Sequence, residues 1–272
     1  MKLLYSIILG FLYGFTELTP VSGQAHKQVL QYIFGMDTGT PLLDVLVHTA
    51  VAAAVIVSNY PTISRLRRDS RLYNRRRKGV NMRGIYELRI LKTAAALLIL
   101  GHLVYAFTVK SQPGLVQLSI TGLLLSVVLL VTDHMRHANK DARHASVFDS
   151  VLLGVSSALS VFPGLSRIGM ALSFATARGI DVSLAYLWTL LLSIPALIVI
   201  ILLDIFAVVT VGIGVLSFAV FIQYLLAAIF AFVGALCAVT FVKYLLIRSG
   251  FSGFGYYNIG FAVFTFVLYL IA

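Results

Sequence analysis

Charge is what this 272-residue chain has least of. Asp, Glu, Lys and Arg together make up 11% of it, against 60% hydrophobic residues. Mean hydropathy is +0.96. A soluble globular domain carries about 25% charged residues, so that class is excluded. Acids are scarcest, 10 Asp and Glu against 21 Lys and Arg. Cysteine is almost missing. The single Cys237 leaves no disulfide framework and no metal–thiolate site. It sits in an apolar run and reads as a small buried hydrophobe. The opening "MKLLYSIILGFLYGF" has the Lys and apolar core of a signal peptide. No small-x-small cleavage pattern follows, so it reads as a retained segment.

Long hydrophobic runs fill the space that charge leaves. Six stretches read as full membrane spans: 41–59, 90–110, 115–133, 183–205, 216–243 and 255–272. Two more are interrupted. Residues 1–39 break at Pro20 to Gly23, and residues 149–181 break at Pro163 and Gly164. Non-helical backbone at membrane depth survives only inside protein or along a wet cavity. Both stretches therefore read as re-entrant helical hairpins. The expected fold is an all-α polytopic membrane protein, one membrane domain over 1–272 with no soluble domain.

The net charge of +11 is not spread evenly. Segment 65–83, "RLRRDSRLYNRRRKGVNMR", holds Arg65, Arg67, Arg68, Arg71, Arg75, Arg76, Arg77, Lys78 and Arg83, nearly half of all Lys and Arg. A basic loop (60–89) between hydrophobic spans is the positive-inside signal, not a nucleic-acid surface. It also offers a contact for anionic lipid headgroups. Loop 134–148, with Arg136, Lys140 and Arg143, falls on the same cytoplasmic side, as does the turn 244–252 with Lys243 and Arg248. The chain is then a multi-pass protein of the cytoplasmic (inner) cell membrane with both termini extracytoplasmic. Each half, 1–133 and 149–272, is one hairpin followed by three spans. An odd number of crossings inverts the second copy, giving an inverted-topology repeat whose breaks meet near the midplane.

Polar residues at membrane depth are costly and are functional candidates. Glu17, Ser22, His26, Asp44, His48, Ser166 and Arg167 are of this kind. His102 reads as a packed or interface histidine, Trp188 as a packing or interface residue, and Asp204 and Arg178 as reaching headgroups. The clusters at the two breaks are less easily explained by packing. Arg167 has the planar fork that suits phosphate. A helix restart after Pro163-Gly164 presents free N–H groups to anions. A Glu beside a His can orient the ring for acid–base work, and a nearby serine is a candidate nucleophile. The combination reads as an anionic headgroup site at a repeat interface, phosphate before carboxylate.

The two break motifs carry a resemblance. "GFTELTPVSGQAH" (14–26) resembles the G-x-T-E-x-x-P-V-S-S-x-G-H signature of the undecaprenyl-diphosphatase (bacitracin-resistance) family. "FPGLSRIGMAL" (162–172) resembles its P-G-x-S-R-S-G-x-T signature. "LLDVLVHTAVAAAVIV" (42–57) and "LWTLLLSIPALI" (187–198) are similar to the family's segments after each hairpin, so the likeness runs from about residue 7 to the C-terminus.

The resemblance implies six transmembrane helices, two re-entrant pairs and a site facing the outer leaflet. It implies removal of the terminal phosphate from undecaprenyl diphosphate, giving the lipid monophosphate for cell-wall synthesis. Glu17, His26, Ser166 and Arg167 become the catalytic set, with Glu17 holding the His26 imidazole and also the ligand for Mg²⁺ or Ca²⁺. Tyr13, Ser22, Gly23, Gly164, Asp44 and His48 become the substrate-binding surroundings. Ser22 is the alternative nucleophile, beside Ser166 and water. The partners implied are polyprenyl diphosphate or monophosphate lipid, with a homodimer left open. Five positions depart from the pattern: Tyr13 for the first acid of E-x-x-x-E, Gly23 for the second serine, Ile168 and Ala171 for a serine and a threonine, and Asn258 after Tyr257 for an arginine. These losses leave a non-hydrolytic polyprenyl-phosphate translocase, or a lipid-phosphate-binding homologue, on the same scaffold as the alternative.

Overall fold

The computed structural model describes residues 3–35, 41–76, 78–108, 114–135, 140–212 and 217–271. Arg77 and Arg136 of the basic segments lie outside them, as do the outermost residues of hairpin 1–39 and of spans 90–110, 216–243 and 255–272. Every named element is helical. In order these are α1 (Leu3–Glu17), α2 (Gly23–Ile33), α3 (Pro41–Ser58), α4 (Tyr60–Asn74), α5 (Met82–Thr108), α6 (Leu115–His134), α7 (Val147–Ala158), a 3-10 turn (Leu159–Val161), α8 (Arg167–Ala177), α9 (Val182–Val211), α10 (Phe218–Ser249) and α11 (Ser252–Ile271). Six of them, α3, α5, α6, α9, α10 and α11, are long and apolar enough to cross a membrane. The chain is an all-α polytopic membrane protein.

Both interruptions fall where the prolines and glycines predict. After each, a serine starts the next helix. Ser22 Oγ accepts from the Ala25 N–H at 3.3 Å and opens α2. Ser166 Oγ accepts from the Gly169 N–H at 3.0 Å and opens α8. Each cap satisfies one of the orphan donors of a buried helix start. Gly164 has φ +97° and lies against Thr121, whose hydroxyl donates to the Pro163 carbonyl at 2.7 Å. Only glycine fits this turn without strain.

Three expectations need correction. Most of loop 60–89 is helix, because Pro61 sits in the first turn of α4 and α5 starts early, at Met82. The early start is tolerated because the buried Glu87 is faced by Arg65 at 2.8 Å and Arg83 at 3.3 Å. Arg178 does not simply reach for headgroups; it holds Asp149 at 2.7 Å. Cys237 is exposed on α10. Apolar sequence signals burial in a soluble protein, but the outer face of a membrane helix is apolar as well.

Packing follows small residues. Helix α1 lies on α10, α5 on α7, α6 on α11, and α3 on both α9 and α10; α5 also packs on α9. At the α1–α10 crossing, Gly10 and Gly14 touch the backbone of Ala227 and Ala231, and Gly234 touches Phe11. At the α5–α7 crossing, Gly154 touches Ala94. Small residues let membrane helices approach closely enough for backbone contact. Gly14→Val should therefore lower the thermal unfolding midpoint of the detergent-solubilised protein by at least 5 °C. Gly253→Ala, which adds a methyl to open space, should leave it within about 1 °C. Equal midpoints for the two would contradict this packing.

Candidate functional site

A cavity of about 370 Å³ lies between the two breaks. Its wall takes Glu17 from the end of α1, Ser22 and Gly23 from the first break, and Ser166 and Arg167 from the second. Asp44 and His48 come from α3, His102 from α5, and Asp204 from α9. The contributing parts of α3, α5 and α9 lie at the end of the bundle away from α4. At 1.5 Å per residue, α3 alone puts roughly 20–25 Å between Asp44 and the basic helix.

Arg167 joins the breaks. It is the first residue of α8 and is buried. Its Nη2 donates to Glu17 Oε1 at 2.8 Å, and its Nε donates to Ser193 Oγ on α9 at 3.2 Å. Ser166 Oγ donates across to the Thr19 carbonyl at 2.9 Å. Asn258 Nδ2 on α11 donates to the Pro20 carbonyl at 3.1 Å. The backbone of the first break, otherwise short of partners, is thus satisfied from α8 and α11.

His26 is elsewhere. Nδ1 is 2.6 Å from the Ser22 carbonyl, Nε2 is 2.8 Å from the Tyr257 hydroxyl, and the ring stacks on Phe261 at 3.9 Å. Both nitrogens are occupied, and His26 is not part of the cavity wall. The expected Glu17–His26 pairing is not formed; Glu17 is held by Arg167. The oriented imidazole on the wall is His48, whose Nδ1 meets Asp204 Oδ2 at 2.6 Å. Its Nε2 is buried without a partner among the described residues. Asp204 therefore belongs to the site rather than to the headgroup region. His102, read as packing, does give its Nδ1 to the Leu98 carbonyl at 2.9 Å, but it also lines the cavity. Trp188 is fully buried, as a packing residue is.

Other expected residues stand behind the wall. Tyr13 is fully buried with its hydroxyl unpartnered among the described residues, and its ring meets His48 edge-on at 5.5 Å. Gly164 shapes the turn. Lys27, not singled out in the sequence, lines the cavity and pairs with Asp44 at 2.8 Å. Ser193, also not singled out, is buried behind Arg167 and accepts from its Nε. Lys27 was legible only as a cation one helical turn from the Gly23 restart.

Comparison with known proteins gives the same frame. The family described as "Bacitracin resistance protein BacA" matches residues 6–264. The chain belongs to this family. It is 28% identical to undecaprenyl-diphosphatase 1 of Shouchella clausii over 72% of each chain. It is 27% identical to the undecaprenyl-diphosphatase of Thermosipho melanesiensis over 96% of this chain and 98% of that one. It is 26% identical to the undecaprenyl-diphosphatase of Carboxydothermus hydrogenoformans over 94% of both.

A resident Mg²⁺ or Ca²⁺ needs several oxygen ligands and concentrated negative charge. Each acid on this wall already faces a basic group: Glu17 faces Arg167, Asp44 faces Lys27, and Asp204 faces His48. Among the described residues, no three metal-ligating side chains converge. This donor set does not fit a protein-held divalent cation.

Gly23 is where this family member packs Glu17. A Cβ there would meet the Glu17 carboxylate and crowd its backbone. Gly23→Ser, which restores the signature residue, should displace Glu17 from Arg167. The expected outcome is at least a fivefold loss of lipid-phosphate binding or turnover, with a lower melting midpoint. An unchanged variant would show that Glu17 has another place to go.

Proposed function

We propose that the chain is a membrane phosphatase that removes the terminal phosphate of undecaprenyl diphosphate and leaves the lipid monophosphate. The observation that carries this reading is the buried Arg167, aimed from a helix start into a cavity shared by both breaks. A guanidinium offers five donors, and Glu17 and Ser193 engage one each at hydrogen-bond distance. The remaining donors can take phosphoryl oxygens and offset charge developing in the transition state. Family membership and the three relatives' names support the same reaction.

The proton work falls to His48. Asp204 orients Nδ1 and leaves Nε2 free to accept from a nucleophile. An unpartnered buried nitrogen costs about 1–3 kcal/mol, which a water or substrate oxygen would relieve. Ser166 spends its hydroxyl proton on Thr19. No acceptor for the Ser22 hydroxyl proton is present among the described residues, which makes Ser22 or water the better nucleophile. His26 acts as a positioning residue that ties α2 to α11 through Tyr257.

Two further features support the arrangement proposed from the sequence, two re-entrant hairpins in an inverted repeat within one membrane domain. Exchanging α1, α2, α3, α5 and α6 for α7, α8, α9, α10 and α11 converts α1–α10 into α7–α5 and α3–α10 into α9–α5 packing. It leaves α3–α9 and α6–α11 unchanged. The cavity lies at the end of the bundle remote from α4, whose exposed Arg67, Arg68 and Arg71, with Arg75 just after it, suit a cytoplasmic surface and anionic headgroups. The site then faces the outer leaflet, and both termini are extracytoplasmic. The same exchangeable packing favours a second reading, translocation of the lipid phosphate without hydrolysis.

Arg167→Ala and His48→Ala should each lower phosphate release from undecaprenyl diphosphate at least tenfold in detergent, while the proteins stay folded. His26→Ala should cost less in kcat than His48→Ala. No release by the unmodified protein, with saturable lipid-monophosphate binding that Arg167→Ala weakens, would replace hydrolysis by transport.

A further inference from the structure

Lys27 is a buried cation that the reaction as described does not use. It is 5% exposed, although the residue type normally runs its stem outward to water. Its Nζ lies 2.8 Å from Asp44 Oδ1 and 5.7 Å from the centre of the Tyr13 ring. Tyr13 presents a neutral π-face to the ammonium, so no second carboxylate competes for it there.

The pair repeats the layout of Arg167 and Glu17. Side-chain exposure is 6% for Lys27 against 19% for Asp44, and 3% for Arg167 against 10% for Glu17. In both pairs the cation is held deep and the acid is the more open partner. Both pairs line one cavity. A tie between α2 and α3 alone would not need that placement. An ammonium also has three donors, and Asp44 takes one. Lys27 can hold Asp44 and a phosphate oxygen together.

We infer that Lys27 is a second phosphate-binding cation, so that Arg167 and Lys27 hold one phosphate each and the site selects diphosphate over monophosphate headgroups without a divalent metal. This rests on the phosphatase reading for the identity of the lipid. A buried ammonium supplies the compensation that the wall's paired acids do not offer to a metal. The monophosphate product needs one cation only, so losing Lys27 costs the diphosphate more.

The test is calorimetric titration of the detergent-solubilised protein with undecaprenyl diphosphate and undecaprenyl monophosphate in EDTA, with phosphate release measured in parallel. Lys27→Met should weaken diphosphate binding at least tenfold and monophosphate binding less than threefold. The double variant Lys27→Met/Asp44→Leu leaves no unpaired charge and should behave the same if the single variant does not fold. Unchanged diphosphate binding by the double variant overturns the inference. So does equal weakening of both lipids, which marks a structural tie, or diphosphate binding by the unmodified protein only when Mg²⁺ or Ca²⁺ is added. Phosphate release persisting in the double variant would remove Lys27 and keep the phosphatase. Selective binding without any release would do the reverse.

Discussion

One buried ion pair, Arg167 with Glu17 at 2.8 Å, sets the terms for the rest of the site. Each partner ends or begins a helix at one of the two helix interruptions, which are about 150 residues apart in sequence. Removing one member of such a pair strands a charge in low-dielectric surroundings, at a cost of about 3–5 kcal/mol. The pair therefore fixes where α1 stops and where α8 starts. It requires Ser193 behind the guanidinium and a glycine at 23 beside the carboxylate. It also leaves a cavity that neither half of the chain could enclose alone.

The cavity wall follows a single rule: every acid has a basic partner. Glu17–Arg167, Asp44–Lys27 and Asp204–His48 each take one residue from a break or hairpin and one from another element, or join two spans. An anionic headgroup entering such a wall meets cations already positioned, with acids that can give up part of their hold. The electrostatic preorganisation lies in side chains of this chain, in keeping with a donor set that suits phosphate better than a metal ion.

The fold was largely legible because membrane burial imposes simple lengths and leaves prolines, glycines and arginines few places to go. The six spans and both breaks appear where the hydrophobic runs and the Pro20 and Pro163 interruptions put them. Glu17, Ser22, Asp44, His48, Ser166 and Arg167 do converge on one cavity. Pairings were less legible. Glu17 and His26 flank one break and looked like partners, yet the carboxylate is taken by Arg167 and both His26 nitrogens by Ser22 and Tyr257. Lys27 sits one turn into α2 and Asp204 at the end of the span expected over 183–205, where a charge usually reaches for water, and nothing local in the sequence says that they turn inward. Cys237 was misplaced because an apolar neighbourhood does not separate protein-facing from outward-facing sides of a membrane helix.

The most direct measurement exchanges the central charges. Glu17→Arg and Arg167→Glu should each lower the melting midpoint by at least 5 °C, and the double variant should recover at least half of that loss. Phosphate release from undecaprenyl diphosphate should remain at least tenfold down in the double variant, because the cation then leaves the start of α8. Single variants as stable as the unmodified protein, or a double variant with full turnover, would contradict a site built on this pair.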